Sequence, residues 1–140
     1  MAQSRDTWFA IPIILIAMGY MFWSKWNEPW TAMRFAGACM VVIGLSLWML
    51  ARIQLGASFS VGAKAKALVT RGLYSRIRNP IYFFGSITIA GICLFYFRPL
   101  YLLVFLLIIP LQVVRARKEG EVLEAAFGEE YRNYRSRTWF

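Results

Sequence analysis

Uncharged apolar residues fall into four long blocks separated by short polar breaks. Residues 8–23 form the first, with Pro12 near its start, and residues 35–51 form the second. Residues 81–97 and 100–114 form the third and fourth, divided by Arg98 and Pro99. Each block approaches the roughly 20 residues that a helix needs to cross a bilayer. Trp8, Trp23, Trp26 and Trp30 flank the first block, where interfacial anchors belong. Gly37, Cys39, Gly44 and Ser46 supply the second block with small residues for close helix contact. The Arg98-Pro99 junction predicts a tight helical hairpin between the third and fourth blocks, and Pro110 predicts a bend. Beyond Val114 the pattern turns charged and helical. Leu123 and Phe127, four apart, share a face with Glu119 one turn earlier. Gly128 is expected to end or interrupt that helix.

This pattern predicts an all-α membrane protein, a single domain over residues 1–140. About four transmembrane helices would be followed by a cytoplasmic C-terminal amphipathic helix and tail. The stretch 52–78 carries Arg52, Lys64, Lys66, Arg71, Arg76 and Arg78 and no acid, the strongest positive-inside signal in the chain. An even number of spans places this basic loop and both termini on the cytoplasmic side, as a multi-pass protein of a bacterial inner membrane. Gly62 and Gly72 are expected turns within the loop. The hairpin brings Tyr74, Arg76, Arg78, Asn79 and Tyr82 to the same face as Arg115, Arg117, Lys118, Glu119 and Glu121. That juxtaposition is either a polar pocket, open sideways to lipid, or a pair of solvated helix ends.

Composition narrows the class. Of 140 residues, 59% are hydrophobic and 16% charged, against about 25% charged in a typical soluble domain. A soluble secreted domain, a disordered chain and a collagen-like chain are excluded. The net charge of +9 faces anionic lipid headgroups rather than nucleic acid, since no zinc-finger or aromatic RNA-binding motif is present. The absence of His removes His general-base catalysis and Cys/His zinc sites, and no metal is expected. Cys39 and Cys93 lie inside apolar blocks and read as small hydrophobes.

Two motifs then carry a resemblance. Gly72-Leu73-Tyr74, followed by Arg78-Asn79-Pro80-Ile81-Tyr82, resembles the G-x-Y and R-H/N-P-x-Y signature of the isoprenylcysteine carboxyl methyltransferase and phospholipid N-methyltransferase superfamily. Glu119, Leu123, Phe127-Gly128, Tyr131 and Tyr134 resemble its E-E-x-x-L-x-x-x-F-G-x-x-Y-x-x-Y signature. The resemblance is strongest over residues 72–140. It implies a membrane-embedded methyltransferase using S-adenosylmethionine, with Tyr74, Arg78, Asn79, Pro80, Tyr82, Glu119 and Tyr131 as the cofactor-binding set. It further implies Arg78 and Glu119 as catalytic residues and Arg115 and Tyr134 as substrate contacts. The acceptor would be a small lipophilic or lipid-like molecule entering from the bilayer, with carboxylate O-methylation of the isoprenylcysteine type as the main reading. Phospholipid-amine N-methylation is the alternative, and a non-catalytic cofactor-binding or structural membrane protein is the other. Asn79 stands where many isoprenylcysteine-type members have His, and Gly120 stands where the signature has its second Glu.

The residue types suit that chemistry. Methyl transfer from a sulfonium is an in-line displacement that needs no metal and no covalent enzyme intermediate. Its acceleration comes from orientation and preorganised charge. Aromatic faces favour a cationic sulfonium, and Arg binds a carboxylate bidentately.

Overall fold

The computed structural model describes residues 2–56, 68–97 and 99–139, excluding the side chains of residues 2–11 and 99–102. The expectations for Trp8, Gly62, Lys64, Lys66 and Arg98 lie outside the described residues and side chains. The chain is all-α among the described residues. The helices are α1 (Ala2–Ser24), α2 (Ala32–Leu55), α3 (Pro80–Tyr96), α4 (Pro99–Phe127) and α5 (Glu129–Arg137), with a 3-10 turn at Gly72–Ser75 between α2 and α3. Two units form, residues 1–31 and residues 32–140.

The first unit contains α1 and its exit turn. The first apolar block extends further toward the N-terminus than its hydropathy indicates, so Pro12 lies inside α1 rather than at its start. Phe22 stacks on Trp30 with centroids 6.5 Å apart, and Lys25 pairs with Glu28. Trp23 and Trp26 are exposed.

The second unit is built on an antiparallel crossing of α2 and α3. Val41 and Ala51 of α2 and Phe84 and Phe95 of α3 are buried there. Glycines set the interaxial distance. A Cβ at Gly91 would stand 2.8 Å from the Val41 amide nitrogen and 2.9 Å from the Gly37 carbonyl oxygen. One at Gly37 would stand 2.6 Å from the Phe95 amide nitrogen. Backbone atoms occupy the space that any side chain would need, as in other small-residue helix contacts. A Cβ at Gly44 would stand 2.7 Å from Thr88 Oγ1 and 3.0 Å from the Thr88 amide nitrogen. Cys39 and Ser46 are exposed and take no part in this contact.

The number of spans departs from the expectation of about four. Among the described residues, one helix, Ala32–Leu55, is long and apolar enough to cross a membrane. The apolar part of α1, Pro12–Ser24, and α3 are shorter. The 17 residues of α3 rise about 26 Å, less than the roughly 30 Å of a bilayer core. The fourth block is not a helix of its own, because α4 continues unbroken from Pro99 through the charged residues to Phe127. Apolar blocks therefore mark helices without counting membrane crossings. The multi-pass inner-membrane arrangement, with the basic loop and both termini on the cytoplasmic side, falls with that count.

Local signals at the ends of α3 and α4 act as the sequence suggests. Pro80 occupies the first turn of α3, where its missing N–H costs least. Gly128 separates α4 from α5 with φ of 51°, a left-handed conformation that favours glycine. Gly72 has φ of +63°, and a Cβ there would stand 2.5 Å from Gln54 Oε1. The same Gln54 oxygen accepts the Leu73 N–H at 2.8 Å. The end of α2 thereby fixes the 3-10 turn that carries Tyr74.

Candidate functional site

Cross-helix hydrogen bonds join α3 to α4. Tyr82 Oη donates to Glu119 Oε1 at 2.6 Å. One turn further along α3, Ser86 Oγ donates to Gln112 Oε1 at 2.7 Å. Polar groups thus continue from the charged half of α4 into the apolar seam. Glu119 Oε2 receives no hydrogen bond among the described residues.

A cavity of about 500 Å³ lies beside this clasp. Arg78 and Asn79, just before α3, form one wall. Val113, Ala116, Arg117, Gly120, Glu121 and Glu124 of α4 form the second, and Tyr131 and Arg135 of α5 the third. The volume is within the usual range for small-molecule sites. Gly120 has a definite steric role, because a Cβ there would stand 2.9 Å from Tyr131 Oη. The residue that breaks the acidic pair of the signature makes room for the tyrosine that closes the cavity. Glu124 is engaged by Arg132 at 3.0 Å and Arg135 at 3.7 Å, which ties α5 to α4. Arg78 and Arg117 have no ion pair among the described residues.

Tyr74, Pro80, Tyr82, Arg115, Glu119 and Tyr134, also named from the sequence, lie outside the lining of this cavity. Pro80 is buried at the start of α3. Arg115 is exposed on α4, one turn before Glu119. Tyr134 Oη donates to the Tyr74 carbonyl oxygen at 2.7 Å and lines a second cavity of about 460 Å³ with Leu68, Thr70 and Ser75. Tyr74 is buried, and its hydroxyl has no hydrogen-bond partner among the described residues. A buried hydroxyl left unpaired costs about 1–3 kcal/mol, so this one is a vacant donor within the fold.

The phenols are held protonated. Burial pushes Tyr74 well up, reinforced by neighbouring Tyr134. Burial pushes Tyr134 up to about 12, with Tyr131 adding and Arg78 opposing. Burial also raises Tyr131, against the pull of Arg78 and Arg135. All three act as neutral hydrogen-bond donors at physiological pH.

Comparison with known families decides the identity. The model of the phospholipid methyltransferase family matches residues 32–130. The chain belongs to the phospholipid methyltransferase family. No curated protein matches it. Membership makes it a methyltransferase that uses S-adenosylmethionine and acts on a lipid-related acceptor. The family match begins where the second unit begins, at Ala32. It takes in α2, α3, α4 and two cavity walls, whereas Tyr131, Tyr134 and Arg135 lie beyond it.

Gln54 and Gln112 carry little local signal. Gln54 is a lone amide at the end of α2 and Gln112 a lone amide inside α4, and their partners lie 19 and 26 residues away.

Proposed function

We propose that this phospholipid methyltransferase family member N-methylates the amine headgroup of a phospholipid, with the cofactor in the cavity between Arg78, Gly120 and Tyr131. The family match over residues 32–130 carries this reading. It favours the amine over the carboxylate of the isoprenylcysteine type.

The donor set fits S-adenosylmethionine. Arg78 suits its carboxylate, and Glu121, which lines the same cavity, suits its ammonium. The buried ring of Tyr131 and the Asn79 amide offer a π-face and hydrogen bonds. When bound, the cofactor supplies a methyl group on a sulfonium, open to attack by a nitrogen lone pair.

The chain's own work is orientation and proton handling. Tyr82 holds Glu119 Oε1, leaving Oε2 to attract the acceptor's ammonium and accept the proton that frees the lone pair. Arg115, one turn from Glu119, is placed for the headgroup phosphate. This pair of opposite charges about 6 Å apart along α4 matches a zwitterionic headgroup. Pro80 sets the start of α3 and hence the direction of Asn79. The Tyr134 hydroxyl is committed to Tyr74, so we assign it to holding the turn.

Purified protein is tested with methyl-labelled S-adenosylmethionine and micelles of either phosphatidylethanolamine or a prenylcysteine. Label is expected in the amine lipid, at a rate that rises from pH 6 to pH 9 as the acceptor ammonium gives up its proton. The raised phenols contribute nothing to that rise. A pH-independent transfer to the carboxylate acceptor, or no transfer to either, would overturn the reading.

A further inference from the structure

Arg78 and Asn79 lie on a short irregular segment between the 3-10 turn and α3. Their placement depends on what grips that segment from outside. The Trp139 N–H donates to the Arg76 carbonyl oxygen at 3.0 Å, and the Arg78 N–H donates to the Trp139 carbonyl oxygen at 3.0 Å. Together they form a parallel bridge between Ile77 and Trp139. Tyr134 adds a third grip two residues earlier, on Tyr74. Thr138 Oγ1 donates to the Tyr134 carbonyl oxygen at 3.0 Å, which ties the extended residues to α5. Trp139 is 76% exposed, and the bonds that hold it to this segment are main-chain ones. The same helix α5 brings Tyr131 and Arg135 to the cavity.

We infer that the main chain of Trp139 is a positioning element of the cofactor site, a latch that holds Arg78 in register with the α5 wall. It lies beyond the family match, which ends at residue 130. The inference rests on the reading of Arg78 as a cofactor ligand. An unlatched segment would leave Arg78 to be ordered at the expense of binding. The latch therefore acts on affinity, through another residue, and touches no reacting atom.

Two substitutions separate main chain from side chain. Trp139→Pro removes the N–H, and Thr138 is already extended (φ −119°, ψ 149°), as a residue before proline must be. Trp139→Ala keeps both bonds. The readouts are the dissociation constant for S-adenosylhomocysteine by calorimetry and amide exchange of residues 76–79 in the ligand-free protein. Trp139→Pro is expected to weaken binding about tenfold, the worth of one such hydrogen bond, with faster exchange at Arg78. A chain ending at Arg137 should behave likewise. Trp139→Ala should stay within about twofold of the starting protein. In an Arg78→Ala background, the effect of Trp139→Pro should shrink to about twofold or less, the remainder acting through Asn79. Equal losses in Trp139→Pro and Trp139→Ala, or an undiminished effect in that background, would overturn the latch. So would unchanged binding by Trp139→Pro beside a weakened Arg78→Ala. If Arg78→Ala itself binds normally, the cofactor reading falls and the latch with it.

Discussion

Arg78→Ala is expected to weaken S-adenosylmethionine binding by about 10- to 150-fold, while Arg76→Ala changes it by less than about twofold. The range corresponds to about 1.5–3 kcal/mol for a charge-assisted contact in a partly enclosed site. The two arginines are two residues apart and carry the same charge, so net charge cannot separate them. Arg78 lines the cavity and has no ion pair among the described residues. Arg76 is exposed and outside the cavity lining. Arg78→Lys should fall between them, because an ammonium keeps the charge and loses the fork that pairs with a carboxylate. Calorimetry on the three variants and the starting protein provides the comparison. Equal losses from Arg76→Ala and Arg78→Ala would reduce both to general electrostatics.

Gly91→Ala is expected to destabilise the protein by about 3 kcal/mol, at the upper end of overpacking costs, lowering the thermal midpoint by roughly 10 °C. The added methyl would meet the Val41 amide nitrogen at 2.8 Å, the Gly37 carbonyl oxygen at 2.9 Å and Met40 Cβ at 2.9 Å. Two of these are backbone atoms of the facing helix, which cannot yield without moving α2. Gly19→Ala is the control. Its Cβ would meet nothing within 4 Å, and Ala in a helix interior is favoured over Gly by about 0.5–1 kcal/mol. The same substitution should therefore change sign between the two sites, as read by thermal unfolding. A Gly91→Ala protein as stable as Gly19→Ala would mean that α2 and α3 do not cross at this distance.

These expectations draw on different depths of the sequence. The four apolar blocks marked where α1 to α4 would form, because a helix needs only local composition. They did not give the number of membrane crossings, which depends on unbroken length. The junction at Val114 was a change in polarity and not in backbone, since Ala, Glu and Leu beyond it favour helix equally well. Gly128 was legible as a break because its reason is local, a φ that other residues avoid. Arg78, Asn79 and Tyr131 were legible through the resemblance, and the structure brings them to one cavity. Gly120 looked like a lost acidic side chain. Its reason, room for the Tyr131 hydroxyl, is visible only once α5 folds back on α4. Trp139 gave no signal, since what it contributes is main chain. Gln54 and Gln112 likewise depend on partners that no local pattern names.

In the proposed arrangement the cofactor occupies the cavity bounded by Arg78, Gly120 and Tyr131 rather than its neighbour lined by Leu68, Ser75 and Asn133. Photolabelling of the purified protein with radiolabelled S-adenosylmethionine, followed by peptide mapping, tests it most directly. Label is expected within residues 78–79, 113–124, 131 or 135, and excess S-adenosylhomocysteine should abolish it. Competed label confined to residues 68–75, 133–134 or 137–138 would contradict the assignment and move the site to the other cavity.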